Sequence, residues 1–259
     1  MLLKDRVVIV SGIGPGLGKE IALALAREGA DVAMGARTED RLRDVAGEVE
    51  ALGRRTFWRA TDVTDEAQRR ALVDGTVSSL GRVDVLVNNA FVQPPFKRIE
   101  YETEEMFRTA FEVNVLGGLG MARAVIPAMQ AQGGGSIVFI NTMSIRTSEA
   151  KTGAYAASKS ALFAAARVLA REHGRDGIRV NSVMPGYVWG PNLEWYFNHL
   201  ADKEGLTPQD VYDRVAQQTA LGHLPTSAEV ADAVVFFASD LSRVITGQSL
   251  DVNGGHWFD

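Results

Sequence analysis

A tyrosine and a lysine four residues apart, in Tyr155-Ala-Ala-Ser-Lys159, can together move a proton. On a helix, positions i and i+4 share one face, so a phenol and an ammonium at this spacing are neighbours. Free tyrosine has a pKa of about 10 and is a poor base at neutral pH, and a nearby cation favours the phenolate. At about 4 Å and an effective dielectric of about 20, opposite charges gain on the order of 4 kcal/mol, roughly three pKa units before desolvation takes its share. The spacing alone is only suggestive, and the surroundings decide. Residues 154–173 are alanine-rich and free of internal glycine and proline, and Gly153 and Gly174 bound them. They read as a rigid helix with Gly174 at a C′-like position.

A second group of residues suits an anion. The β-branched run of residues 7–10 has the pattern of a parallel strand buried on both faces, and it leads into Ser11-Gly12-Ile-Gly-Pro-Gly16-Leu17-Gly18. Leu17, Ile21, Ala24 and Leu25 then carry a 3.6-residue stripe, Gly29 ends it, and residues 31–36 form a second strand. A glycine turn between strand and helix sets bare backbone N–H groups and a helix N-terminus against a phosphate. The spacing Gly12, Gly16, Gly18 departs from G-x-G-x-x-G, so the flanking strand and helix carry this reading.

The alternation continues along the chain. Helices are expected over residues 38–52 and 65–80, and strands over 56–60 and 83–87, the latter running into Asn88-Asn89-Ala90. A long helical pattern over 103–132 contains Asn114, with a break expected at Gly117-Gly118. Further strands are expected over 137–140 and over 178–183, which ends in Pro185-Gly186. Such a chain is α/β: a single-domain, Rossmann-like, doubly wound parallel sheet with helices on both faces. In these sheets ligands sit at the carboxyl ends of the strands, which gathers Ser11, Asp62, Asn89, Thr142 and Pro185 on one rim.

Gross composition narrows the classes. The 259 residues are read as one domain, since no proline- or serine-rich linker divides them, with a substrate loop region expected at about 186–220, where the chain follows a strand end and interrupts the alternation. The net charge of −5 offers no basic excess for nucleic acid, and the absence of cysteine excludes disulfides and thiol nucleophiles. Four scattered histidines give no metal site, no apolar run approaches the roughly 18 residues of a membrane span, and a cytoplasmic location is expected.

With these pieces in order, the chain resembles the short-chain dehydrogenase/reductase family over essentially its full length. Ser11-Gly12-x-x-x-Gly16-Leu17-Gly18 is similar to the family's Thr-Gly-x-x-x-Gly-x-Gly turn, with serine for threonine. Asp62-Val63 resembles its adenine contact, and Asn88-Asn89-Ala90 its strand-four motif, with Phe91 where glycine is usual. Asn114 resembles the helix asparagine that holds a relay water, Tyr155 and Lys159 the catalytic pair, and Pro185-Gly186 with Val188 the nicotinamide-side loop. Ile245-Thr-Gly-Gln248 and Asp251-Val-Asn253-Gly-Gly255 resemble the closing strand, with Asn253 replacing aspartate. Thirteen residues before Tyr155, where the family has serine, stands Thr142, and Ser144 is the competing hydroxyl.

The resemblance implies an NAD(P)-dependent oxidoreductase that interconverts a secondary alcohol and a ketone. Tyr155 is the implied acid/base. Lys159 would lower its pKa and bind the nicotinamide ribose, Thr142 would orient the substrate oxygen, and Asn114 would hold a water linking Lys159 to solvent. Gly35-Ala36-Arg37 offers an arginine and no acid at the end of the second strand, which favours NADP(H), with NAD(H) the alternative if Arg37 is merely solvated. Trp189, Trp195, Tyr196 and Phe197, with Phe91 and Phe96 from another loop, are candidate walls for a bulky apolar or aromatic small-molecule substrate, or else helix-packing or subunit-contact residues. Residues 186–220 carry a formal balance of −3, which counts against a reductase of carrier-bound 3-oxoacyl chains. A non-catalytic cofactor-binding homologue is the reading from another class. A homotetramer, or at least a homodimer, is expected from the resemblance.

Overall fold

The computed structural model describes residues 1–258, so only Asp259 of the expected domain lies outside it. Seven parallel strands form one sheet in the order β3-β2-β1-β4-β5-β6-β7. They are β1 Val7–Ser11, β2 Asp31–Ala36, β3 Thr56–Ala60, β4 Val85–Asn88, β5 Gly135–Ile140, β6 Ile178–Pro185 and β7 Ser249–Val252. Strands β1, β2 and β4 are buried at every position, as their continuous apolar runs demand. The two-residue period sorts their side chains. Val8 and Val10 enter the layer of helices α1 Leu17–Arg27, α2 Glu39–Ala51 and α10 Ser227–Ala238, and Val7 and Ile9 enter that of α3 Glu66–Leu80, α5 Gly118–Ala131 and α7 Gly153–His173. Each large side chain sealed there, such as Phe139 or Phe237, contributes about 1.5–3 kcal/mol of burial.

The direction of strand progression reverses between β1 and β4, which opens a crevice at their carboxyl ends. Strands β2 and β3 have the expected bounds, and β6 extends to Pro185. Strand β4 begins two residues late because the Asp84 carboxylate takes the Val7 amide at 2.9 Å, the place of a strand-to-strand carbonyl. The long helical pattern does not break at Gly117-Gly118. Helix α4, Glu104–Phe111, passes into α5 through a π-helical turn over Glu112–Gly117 that carries Asn114. Glycine is needed at 117 for packing, since a methyl there would lie 2.8 Å from Val63 Cγ2.

Helix α7 matches expectation except at its end. Gly174 has an ordinary φ of −60° and opens a short 3₁₀ turn, and the left-handed residue is Gly177, at φ +75°. Between β6 and α10, helices α8 Pro191–Glu204 and α9 Pro208–Ala216 close on a small core of their own around Phe197, Val211 and Leu224. Thr226 and Glu229 form a reciprocal capping box at the start of α10, a T-x-x-E signal that the reading of the sequence did not use. Among the described residues, no helix is long and apolar enough to cross a membrane.

Candidate active site

The glycine turn is built for close approach. Gly12 has φ +101°, and a β-carbon there would strike the backbone of Ala90, while a side chain at Gly18 would strike the Gly12 carbonyl and the Asn89 side chain. Asn89 Nδ2 donates to the Gly12 oxygen at 2.6 Å, and the amides of Asn89 and Ala90 both donate to the Ser11 oxygen at 2.8 Å. These bonds lock the ends of β1 and β4 together. Gly14 has open space on its outer side, and Gly16, whose nearest such neighbour is Ser227 Oγ at 3.6 Å, caps α1 with no side-chain hydrogen bond. Bare amides at the start of α1, a glycine cradle and the buried, unpartnered hydroxyl of Ser11 fit a pyrophosphate. Leu17 is the first residue of that helix.

Farther along the crevice, Asp62 is held below the usual carboxylate range by hydrogen bonds from the Thr64 amide and hydroxyl, and the charge of Arg37 adds to this. Val63 beside it is buried against the π turn. Arg37 and Arg41 are exposed, and no ion pair or hydrogen bond among the described residues holds either one. By contrast, neighbouring Arg43 is spent on Asp40 at 3.0 Å.

Tyr155 lies in the first turn of α7, its ring 6.3 Å from that of Phe91. Burial pushes its hydroxyl up to about 12, and a hydrogen bond with Thr142 pulls the other way. Thr142 Oγ1 also lies 3.2 Å from Ser144 Oγ, so the two competing hydroxyls share one spot on short helix α6, Ser144–Thr147, and its approach. Lys159 departs from expectation. Its buried ammonium donates to the Ile140 carbonyl at 2.7 Å and sits 5.8 Å from the centre of the Phe91 ring. Burial drops its pKa to about 7, and its charge has no part in the shift of Tyr155. The amine is therefore already neutral where the phenol titrates, so its charge does not act on that step.

Asn114 is likewise committed through its side chain. Its Oδ1 accepts from Val92 N at 2.7 Å, and its Nδ2 donates to the Val92 oxygen and to Ser158 Oγ, both at 2.9 Å. The side chain therefore ties the stretch after β4 to α7 from within the π turn. The Met143 amide donates to the Pro185 oxygen at 2.8 Å and the Gly186 amide to the Val252 oxygen at 3.1 Å, which brings that loop beside Thr142. Val188 packs partly buried against the core.

Two aromatic candidates do not join the cleft. Trp189 is packed into the small core of α8 and α9, its ring edge-on to Tyr212 at 4.7 Å and tilted on Phe197 at 5.8 Å. Trp195 is 69% exposed and stacks on His199. The ring of Phe96 meets that of Tyr196 of α8 at 5.7 Å and bridges the two sides of the cleft. The described residues contain no cluster of side chains able to hold a metal.

A doubly wound parallel sheet with a phosphate cradle at its switch point, and a half-buried phenol beside a hydroxyl and an amine, defines a dinucleotide-binding oxidoreductase. Comparison with known proteins narrows this class. A family model described as enoyl-(acyl carrier protein) reductase matches residues 12–256. The chain is 33% identical to 7alpha-hydroxysteroid dehydrogenase of Escherichia coli K12 over 98% of this chain and 94% of that protein. It superposes on L-sorbose reductase of Gluconobacter frateurii, solved with NADPH and L-sorbose, at a TM-score of 0.94 and 28% identity over 99% and 98% of the two chains. On carveol dehydrogenase of Mycobacterium avium, solved with NAD, the TM-score is 0.92 at 28% identity over 98% of each. The chain belongs to the short-chain dehydrogenase/reductase family, nicotinamide-dependent oxidoreductases acting on CH–OH groups.

Proposed function

We propose that this protein reduces a ketone to a secondary alcohol, and runs the reverse reaction, with Tyr155 as the proton-transfer group. The observation that carries this reading is the placement of the Tyr155 phenol in the first turn of a rigid helix, within reach of the Thr142 and Ser144 hydroxyls at the end of β5. A phenol raised to about 12 keeps its proton at neutral pH and can give it to a carbonyl oxygen. Bound nicotinamide supplies or takes up the hydride at the carbinol carbon. Thr142, with Ser144 beside it, would donate to the same oxygen and fix its place. Lys159 would hold the nicotinamide ribose, and Asn114 would hold a relay water.

Exposed Arg37, with Arg41 one turn on, supports NADP(H) over NAD(H), because a 2′-phosphate would find at the end of β2 a guanidinium whose charge reaches Asp62 but which no ion pair among the described residues holds. Phe91, Phe96 and Tyr196 favour a bulky apolar or aromatic small molecule. We assign residues 186–220 to the substrate side. Their acidic balance persists after Arg214 pairs with Glu204 at 2.6 Å, and it disfavours an acidic carrier protein.

Purified protein tested with L-sorbose, carveol, a 7-oxo bile acid and acetophenone, each with both nicotinamides, should turn over at least one apolar substrate, faster with NADP(H). Tyr155→Phe should retain less than about one per cent of kcat while binding the nicotinamide normally. A folded Tyr155→Phe protein that kept more would move the proton transfer elsewhere.

A further inference from the structure

The catalytic helix begins without a cap of its own. Thr152 stands at the N-cap of α7, but its hydroxyl donates to the Glu149 carbonyl at 2.7 Å and leaves the first-turn amides bare. The partner comes from 52 residues earlier, where Glu102 Oε2 accepts the Ala154 amide at 2.9 Å. Space has been cleared for it. A methyl on Gly153 would collide with that same oxygen and lie 3.1 Å from Ile99 Cγ1, so this helix start needs glycine to let the carboxylate in.

Glu102 closes the stretch that follows β4, which bears Phe91 against Tyr155 and Phe96 against Tyr196. The near end of this stretch is tied by Asn114 to the Val92 backbone. Its far end closes through one 3₁₀ turn, Ile99–Tyr101, and then Glu102. The aromatic wall of the cleft is thus pinned at two points, and the second pin is a charge-assisted bond one residue from Tyr155.

We propose that Glu102 is a positioning residue that fixes the aromatic wall to the first turn of the catalytic helix and so sets substrate affinity. It touches neither substrate nor nicotinamide. Its effect passes through Phe91 and Phe96 to the substrate and through Ala154 to Tyr155. This deepens the alcohol–ketone reading and rests on it for its kinetic consequence, but the clamp itself can be observed without turnover.

Two variants test it. Glu102→Gln keeps an amide oxygen for the Ala154 N–H at nearly the same reach, and Glu102→Ala removes it. By hydrogen–deuterium exchange on the nicotinamide-free protein, Glu102→Ala should speed exchange across residues 92–102 and at Ala154 by about tenfold, and Glu102→Gln should restore most of the protection. With the best ketone of the screen, Glu102→Ala should raise KM about tenfold and lower kcat less than threefold, with NADPH affinity by fluorescence titration unchanged and Glu102→Gln near wild type. Wild-type exchange in Glu102→Ala, or equal losses in both variants, overturns the proposal. So does a KM that stays put while exchange quickens. Absence of turnover in wild type alongside the expected exchange pattern would instead sink the alcohol–ketone reading and leave the clamp standing.

Discussion

Lys159 sits where its charge is costly. It is 2% exposed and its one hydrogen bond goes to a neutral carbonyl, so burial lowers its pKa from 10.5 to about 7. The unfolded chain keeps that proton up to about pH 10.5 while the native protein has lost it, so between pH 7 and 10.5 the unfolded state binds more protons and stability rises with pH. Tyr155 works in the opposite sense at higher pH. Its native value of about 12 lies above the ordinary 10.0, so its contribution is full below pH 10 and is lost as pH climbs toward 12. The nicotinamide-free protein should therefore be more resistant to urea at pH 9 than at pH 7, by on the order of a few kcal/mol. Lys159→Met should flatten that rise, and a wild-type urea midpoint unchanged between the two pH values would show that the ammonium is not desolvated as its surroundings imply. The four-residue spacing made the pair visible in the sequence, but not where the ammonium points. That depends on the Ile140 carbonyl, 19 residues away and on another element.

At the scale of elements, local patterns were the legible part. The strand runs and the helix stripes lie within three residues of their expected bounds because burial on a pleated sheet or on one helix face leaves a short-range period. What could not be read locally arises from contacts between elements. The π turn around Asn114 depends on Val63 packing against Gly117, and the cap of α7 arrives from Glu102. Trp189 and Trp195 look alike in sequence, yet one fills the small core beneath α8 and the other faces solvent, a difference set by helix phase and by what α9 covers. The glycine turn gives the sharpest test at this scale. Gly12 combines φ +101° with a β-carbon position already taken by Ala90, so Gly12→Ala must both strain its own backbone and push β4 away from β1. We expect a loss of about 2–4 kcal/mol in urea unfolding together with much weaker nicotinamide binding. The companion variant Gly14→Ala meets nothing within 4 Å and should unfold within about 1 kcal/mol of wild type.

Across the whole molecule, chemistry gathers at one end of the sheet and charge balance at the other. A cavity of about 440 Å³ at the amino end is lined by Arg6, Arg82, Arg179 and Arg243, yet these serve Asp84, Asp240 and the last carbonyls of α10, so the cationic surface there is already spent. The outer helices differ. Phe111, Leu116 beside the π turn, and Val168 of α7 are 36%, 51% and 55% exposed, and Ala164 adds a small exposed residue, while Ala166 is buried against the sheet and belongs to the core. A second apolar group lies on and around the edge strand β7: Val244 at 89%, Leu250 at 39%, Trp257 at 43% and Phe258 at 74%. Asn253 Nδ2 holds the Trp257 carbonyl at 3.0 Å, which folds the tail back without hiding its rings. Two separate apolar groups, one on helical elements and one around the edge strand, suit two self-complementary contacts about different two-fold axes, the usual route to a tetramer. Light scattering at micromolar concentration should give four times the 28.0 kDa chain mass. Val168→Arg, which would plant a charge in a subunit contact made through the outer helices, should reduce that to a dimer with the fold and thermal midpoint of each chain largely kept. A wild-type mass near one chain would mean both faces are simply solvated, and a wild-type dimer unaffected by Val168→Arg would assign the whole contact to the β7 edge and its tail.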